Sequence, residues 1–296
     1  MTEPVRPVFE PVIEASAAAE LGERPIWDDE TNEVVWVDIA QGIIHRQTPG
    51  AADRPIRLDT TVGAVGLRTG GGYVAAAGTC FLLLDADGEL TQPPIPLPGL
   101  TASVSFNDGA VDAAGRFWAG TSSTIGQPAA AALYCLEPDG AVRTVMTGVT
   151  ESNGLAWSPE GSTLYYVDSG LPEVGAWDFD PVSGEPGNRR TFARFTELEG
   201  IPDGLTADAS GNLWVALWGG GVVLCYSAGG RLICRIEFPV SRVTCAGFGG
   251  ETLTDLYVTT AWEGASAAER AEQPAAGHLF RVNSAGRGLP TNRFRG

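Results

Sequence analysis

Glu23 in GERPIWDD, Asn107 in FNDGAVDA, Asn153 in SNGLAWSP and Asp203 in PDGLTADA each set an oxygen-bearing side chain just ahead of a strand-like run. They precede Trp36, Trp118, Tyr166 and Trp214 by 13, 11, 13 and 11 residues respectively. Carboxylate and amide oxygens without His or Cys make a hard donor set, suited to Ca²⁺, Mg²⁺ or Mn²⁺ and poorly matched to a structural zinc. If the four segments are copies of one unit, their side chains hold equivalent places and converge on one point. Taken singly, Asn-Gly and Asp-Gly are common turn formers, and Asp87-Gly88 and Asp139-Gly140 are expected to be turns. The heads differ because they share a phase, and Glu23 at that phase is no turn former. Two further units carry Val62 and Thr244 there.

The elements that must position these residues are strands. Runs VVWVDI (34–39), GYVAAA (72–77), FWAGTS (117–122), LYYVDS (164–169), LWVALW (213–218) and LYVTTA (256–261) recur between Gly, Asp, Asn and Pro clusters, and helical periodicity is nearly absent. Their aromatics Trp36, Tyr73, Trp118, Tyr166, Trp214 and Tyr257 are 37, 45, 48, 48 and 43 residues apart. This period predicts an all-β fold, a six-bladed β-propeller with four-stranded blades. Each unit runs from a head through a turn such as DAAG (112–115) or DASG (208–211) to the aromatic strand. LLLDADGEL (82–90), LYCLEPDGAV (133–142) and LCYSAGGRLI (224–233) then read as third strand, tight turn and fourth strand. FEPVIEA (9–15) is expected to close the last blade, so that one domain covers residues 1–296. Two loops outgrow the repeat, 121–134 and 261–280, the second with a short helix expected around Ser266 to Glu272. In such a ring the first strand of every blade lines the central channel, so the heads face one another across its mouth. Few protein ligands there leave positions for water and substrate, which favours catalysis over scaffolding.

Composition narrows the classes. Nineteen positive side chains, all Arg, against 36 acidic ones give a formal charge of −17, which disfavours nucleic acid as a partner. The absence of Lys excludes Schiff-base chemistry and a Walker-type lysine. No window suits a signal peptide or a membrane span, so the expected location is cytoplasmic, with no membrane partner. Cys80, Cys135, Cys225, Cys234 and Cys245 are odd in number and never spaced as CxxC, which predicts free thiols. His45 and His278 stand isolated and read as surface or structural residues.

LGERPIWD, FNDGAVDAAGRFWAGT, SNGLAWSPEGSTLYYVDS, PDGLTADASGNLWVALWGGGVV and the closing LYVTTAWEG…PAAGHLFRV together resemble the SMP-30/gluconolactonase/regucalcin family, in register from about residue 20 to 283. The resemblance implies a six-bladed propeller with one divalent cation held by Glu23, Asn153 and Asp203, and with Asn107 beside it contacting substrate. Calcium is the first expectation; Mg²⁺, Mn²⁺, Zn²⁺ and Fe²⁺ are alternatives. It further implies a hydrolase of lactones or related cyclic esters. The cation would polarise the carbonyl and Asp203 would act as general base on water, with Asn107 orienting the substrate. Two positions depart from the family pattern: Ser105 stands where sugar-lactone members carry Arg, and the acidic substrate contact falls near Ile125. These substitutions predict a less polar small-molecule substrate. Alternatives are a non-hydrolytic metal-assisted enzyme, or a calcium-binding or interaction propeller. The expected assembly is a monomer or weak homo-oligomer.

Overall fold

The computed structural model describes residues 9–98, 103–196 and 199–296. Their innermost strands are Gly22–Asp28, Val62–Arg68, Val104–Val111, Ser152–Trp157, Ile201–Ala207 and Val243–Gly249, and each begins the four antiparallel strands of one blade. The second strands, Glu33–Asp38, Tyr73–Ala77, Phe117–Ser123, Thr163–Asp168, Leu213–Trp218 and Asp255–Thr260, fall within a residue or so of the aromatic runs read from the sequence. The protein is a six-bladed β-propeller. Blade 6 runs outward from Val243–Gly249 through Asp255–Thr260 and Leu279–Val282 to Val12–Ala15, so an N-terminal strand forms its outer edge. Ring closure of this kind leaves no long unpaired edge between the first and last blades.

Apolar clusters fill the interface between each pair of successive blades, including the pair that closes the ring. In blades 3 and 5 the DAAG and DASG turns orient the aromatics of the second strands, Trp118 and Trp214. Asp112 accepts hydrogen bonds from the backbone N–H groups of Ala114 and Arg116 and from Trp118 Nε1 at 2.9 Å, while Asp208 does the same for Ser210, Asn212 and Trp214. A buried indole N–H is thus satisfied by the residue that shapes the turn before it. Near the C-terminus, Arg293–Phe294 pairs in parallel with Val62–Arg68, and Phe294 is buried among Phe81, Phe106 and Phe117.

One detail departs from the sequence reading. In blade 2 the segment after the Asp87-Gly88 turn makes only a single bridge, Leu84 to Leu90, and the fourth strand is the later Ile95–Pro96. The expected helix is present as Ala267–Glu272, started by a capping box between Ser266 and Glu269. Among the described residues no helix is long and apolar enough to cross a membrane.

Candidate functional site

Pairing between the innermost and second strands slips at the head of every blade: between Glu23 and Ile26, Val62 and Ala64, Phe106 and Asp108, Asn153 and Leu155, Pro202 and Leu205, and Val243 and Cys245. A β-bulge breaks the alternation of side chains and re-aims one of them. The heads therefore lie within the innermost strands, not ahead of them as their turn-like sequences suggested. Their glycines confirm the difference. Gly88 and Gly140 take φ of +90° and +88° in turns, whereas a Cβ at Gly154 or Gly204 would come within 2.6 Å of Asp203 O or 2.4 Å of Cys245 Sγ. Glycine follows the head so that neighbouring inner strands can approach closely.

A cavity of about 230 Å³ opens where the inner strands begin, lined by Glu23, Asn107, Asn153 and Asp203 together with Ser169, Glu151 and Glu263. Leu21, Ile39, Ile201 and Trp218 complete its wall. Ser169 Oγ donates to Pro202 O at 2.7 Å, so it must accept from Asn153 Nδ2 at 2.8 Å, which turns Asn153 Oδ1 the other way. Asn107 Nδ2 reaches that oxygen at 2.8 Å and Ser152 O at 3.0 Å. The Asn107 amide nitrogen is thereby fully engaged, and its own oxygen meets no described donor. Glu23 is anchored by the backbone N–H of Arg24, which reaches its Oε2 at 3.0 Å.

The electrostatics of the cavity are one-sided. Glu23 and Asp203 are almost wholly buried, at 3% and 6% exposure, and no described Arg lines the cavity. Burial holds the Glu23 carboxyl well above the usual range and the neighbouring Asp108 adds to the effect; burial does the same to Asp203, reinforced by Glu23, Glu151 and Asp108. Asp108 lies beneath the cavity, fully buried, with Arg24 Nη1 at 3.8 Å and the Gly109 backbone N–H at 2.7 Å. At the rim, Glu151 and Glu263 stay solvent-accessible, yet the crowding walls raise both, and each has acidic neighbours. Among the described residues no group of three or more His, Cys, Asp or Glu side chains is placed to hold a metal. The head cluster instead combines two carboxylates with amide oxygen. Buried carboxylates that form no described ion pair, with Arg24 offsetting Glu23 only in part, beside a pre-turned amide oxygen, fit a hard divalent cation by charge and donor type.

Of the residues singled out by sequence, Glu23, Asn107, Asn153 and Asp203 meet in the cavity. Ser105 and Ile125 are not on its wall; Ser105 is paired with Ser122 within blade 3, and Ile125 is 69% exposed in the long loop of that blade. Thr244 joins blade 6 to blade 1 through Gly22 O at 2.6 Å, and Val62 is buried. All five cysteines are free, and His45 is buried against Trp36 with Nδ1 2.6 Å from Asp53. Glu151, Glu263, Ser169, Arg24 and Asp108 were not foreseen. The available signals were that Glu151 stands two residues before Asn153, that Arg24 follows Glu23 and that Asp108 follows Asn107.

A closed six-bladed propeller with an oxygen-lined acidic cavity at one channel mouth defines the class. Residues 21–262 match the family described as SMP-30/Gluconolactonase/LRE-like region, and the chain belongs to that family. It is 38% identical over 275 residues to the Bacillus subtilis (strain 168) protein named "Putative sugar lactone lactonase YvrE", covering 91% of this chain and 93% of that one. To the regucalcin of Danio rerio it is 38% identical over 289 residues, covering 94% and 95% of the two chains. The solved structure of a calcium-binding protein, regucalcin, from Agrobacterium tumefaciens str. C58 superposes with a TM-score of 0.90 at 27% identity, covering 96% of this chain and 98% of that one.

Proposed function

We propose that this protein is a divalent-metal-dependent hydrolase that opens a lactone or related cyclic ester. The observation that carries the reading is the convergence of Glu23, Asn153 and Asp203 in one cavity that no described Arg lines. Glu23, Asn153 and Asp203 would hold the ion, calcium by preference, given the calcium-binding relative. When bound, the cation supplies Lewis acidity toward the carbonyl and lowers the cost of ionising the two carboxylates. Asp203 takes a proton from the attacking water, being a buried carboxylate that faces the cavity and has its neighbours' charge to offset. Asn107 presents its unengaged oxygen to a substrate hydroxyl or to the water, held in place by its two bonds to blade 4. Ser169 keeps the Asn153 amide from flipping. Leu21, Ile39, Ile201 and Trp218 shield the reacting atoms from bulk water, which strengthens each polar contact.

Proton release from a panel of lactones, followed with each divalent ion and after chelation, tests the proposal. Turnover that requires a divalent ion is expected. Tight calcium binding without turnover on any lactone would instead make the chain a calcium-binding propeller.

A further inference from the structure

Ser105 and Ile125, the residues from which a less polar substrate was expected, do not line the cavity; two carboxylates from other blades do. Glu151 begins the approach to the inner strand of blade 4, and Glu263 lies in the long loop of blade 6. Among the described residues neither carboxylate accepts a side-chain hydrogen bond or forms an ion pair. Arg242 partly offsets the charge of Glu263, but its guanidinium is held by Glu269 at 3.5 Å and lies over the Trp218 ring, 5.7 Å from its centroid. Below them, the charge of Glu23 and Asp203 matches that of one divalent ion, so the rim pair, offset only in part by Arg242, leaves net negative charge at the opening.

We infer that Glu151 and Glu263 form a charge filter on this cavity, favouring amine-bearing lactones over neutral ones, neutral over anionic ones, and expelling the product. The inference rests on the hydrolase reading and adds the substrate's charge class to it. Expulsion follows from the reaction itself. Water oxygen bonds to the carbonyl carbon, the ring C–O bond breaks, the ring oxygen leaves as a hydroxyl, and the new acid ionises by releasing a proton. A neutral ring enters and an anion must leave past two carboxylates. Each unit of ligand charge at such a rim is worth on the order of fivefold in binding at low salt, shrinking as salt screens it.

Three lactones of one ring size separate the cases: α-amino-γ-butyrolactone as cation, γ-butyrolactone as neutral ring and γ-carboxy-γ-butyrolactone as anion. For the calcium-loaded protein, kcat/KM is expected to fall in that order by on the order of fivefold per step, mostly through KM, and to converge in about 0.5 M salt. At saturating calcium, Glu151→Gln with Glu263→Gln should flatten the order and strengthen inhibition by 4-hydroxybutyrate, with calcium itself bound more weakly because Glu151 also acts on Asp203. Equal rates for all three, or an order unchanged by the double variant, overturn the filter and leave the hydrolase standing. Calorimetric binding of the same compounds covers the converse: charge-ordered binding without turnover rejects the hydrolase and keeps the filter, and no binding with no turnover rejects both.

Discussion

Where the inner strands begin, the channel is walled by Glu23, Asn107, Asn153 and Asp203; where they finish, the same strands present Ile26, Val65, Ala110, Leu155, Leu205 and Phe248 to a cavity of about 430 Å³. The second cavity is the larger, and Leu289 to Asn292 near the C-terminus help to line it. One pleated ring thus offers an acidic mouth and a larger, mainly apolar one that also holds Arg24, Asp112, Arg116 and Glu160. Regular alternation alone would not produce this, since both ends belong to the same six strands. The bulges at the heads do: they turn polar side chains into the channel at one end, and beyond them the strands regain pairing and present apolar residues. Arg24 marks the boundary, lining the far cavity while its guanidinium faces Asp108 beneath the acidic one. It is also one of the few non-glycine residues with positive φ, at +50°, a conformation that costs energy and must be held by its surroundings.

The largest effect should come from removing the acidic character of the first mouth. Asp203→Ala is expected to lower metal-dependent turnover by on the order of 10³-fold or more, as loss of a catalytic group does. Circular dichroism should be unchanged, because a channel-mouth side chain adds little to blade packing. Metal-free melting temperature should hold or rise, since one of two mutually repelling buried carboxylates is gone. Retained turnover would show that Asp203 is not the base.

Breaking the boundary should act on stability. Arg24→Met leaves Asp108 buried without its counter-ion and is expected to cost about 3 kcal/mol in urea unfolding. Adding Asp108→Asn should recover most of that loss, which makes the pair a double-mutant cycle. A loss below about 0.5 kcal/mol for the single variant, typical of a surface position, would mean that backbone packing and not the ion pair separates the two mouths.

The acidic mouth should also make metal stabilisation depend on pH. Glu23 and Asp203 have folded-state pKa values raised above their unfolded ones, so between the two values the folded state binds more protons. Metal-free stability therefore falls as pH rises from the unfolded carboxylate range through the raised folded values. A cation that takes the place of those protons binds more tightly above that window. In thermal melts the calcium-induced rise should be larger at about pH 7.5 than at about pH 5, where protons compete; a hundredfold excess over Kd gives about 2.7 kcal/mol. Equal shifts at both pH values would place the calcium elsewhere.

Much of the acidic mouth was legible in sequence, and the reason is specific. Trp36, Trp118, Tyr166 and Trp214 are large and buried at one place in their second strands, so they report the phase of each blade and carry Glu23, Asn107, Asn153 and Asp203 into register. The bulges were not legible, because register is settled between strands and not along one, and without them the heads read as lying just ahead of the inner strands. Arg24 with Asp108 joins blade 1 to blade 3, and Ser169 reaches across to Pro202. Neither contact has a local sequence pattern. Glu151 and Glu263 belong to connecting segments, where a single acidic residue is unremarkable until the ring brings it to the rim.

The smallest effect is expected at Ser105, and it decides how far the acidic mouth extends into blade 3. Ser105 is two residues from Asn107 on the same strand, but the bulge between Phe106 and Asp108 intervenes, and Ser105 sits half-buried opposite Ser122. Ser105→Arg adds a long cation that reaches the cavity only by extending past the Asn107 head. Its change in kcat/KM on a neutral lactone should stay within about threefold, the scale of a solvent-screened charge. The effect should be more visible on an anionic lactone, where the new charge partly cancels the rim carboxylates. A rise above about tenfold on a hydroxyl-rich neutral lactone, worth about 1.4 kcal/mol of transition-state binding, would require direct contact. Blade 3 would then add a cation beside Asn107, and charge selection would no longer rest on blades 4 and 6 alone.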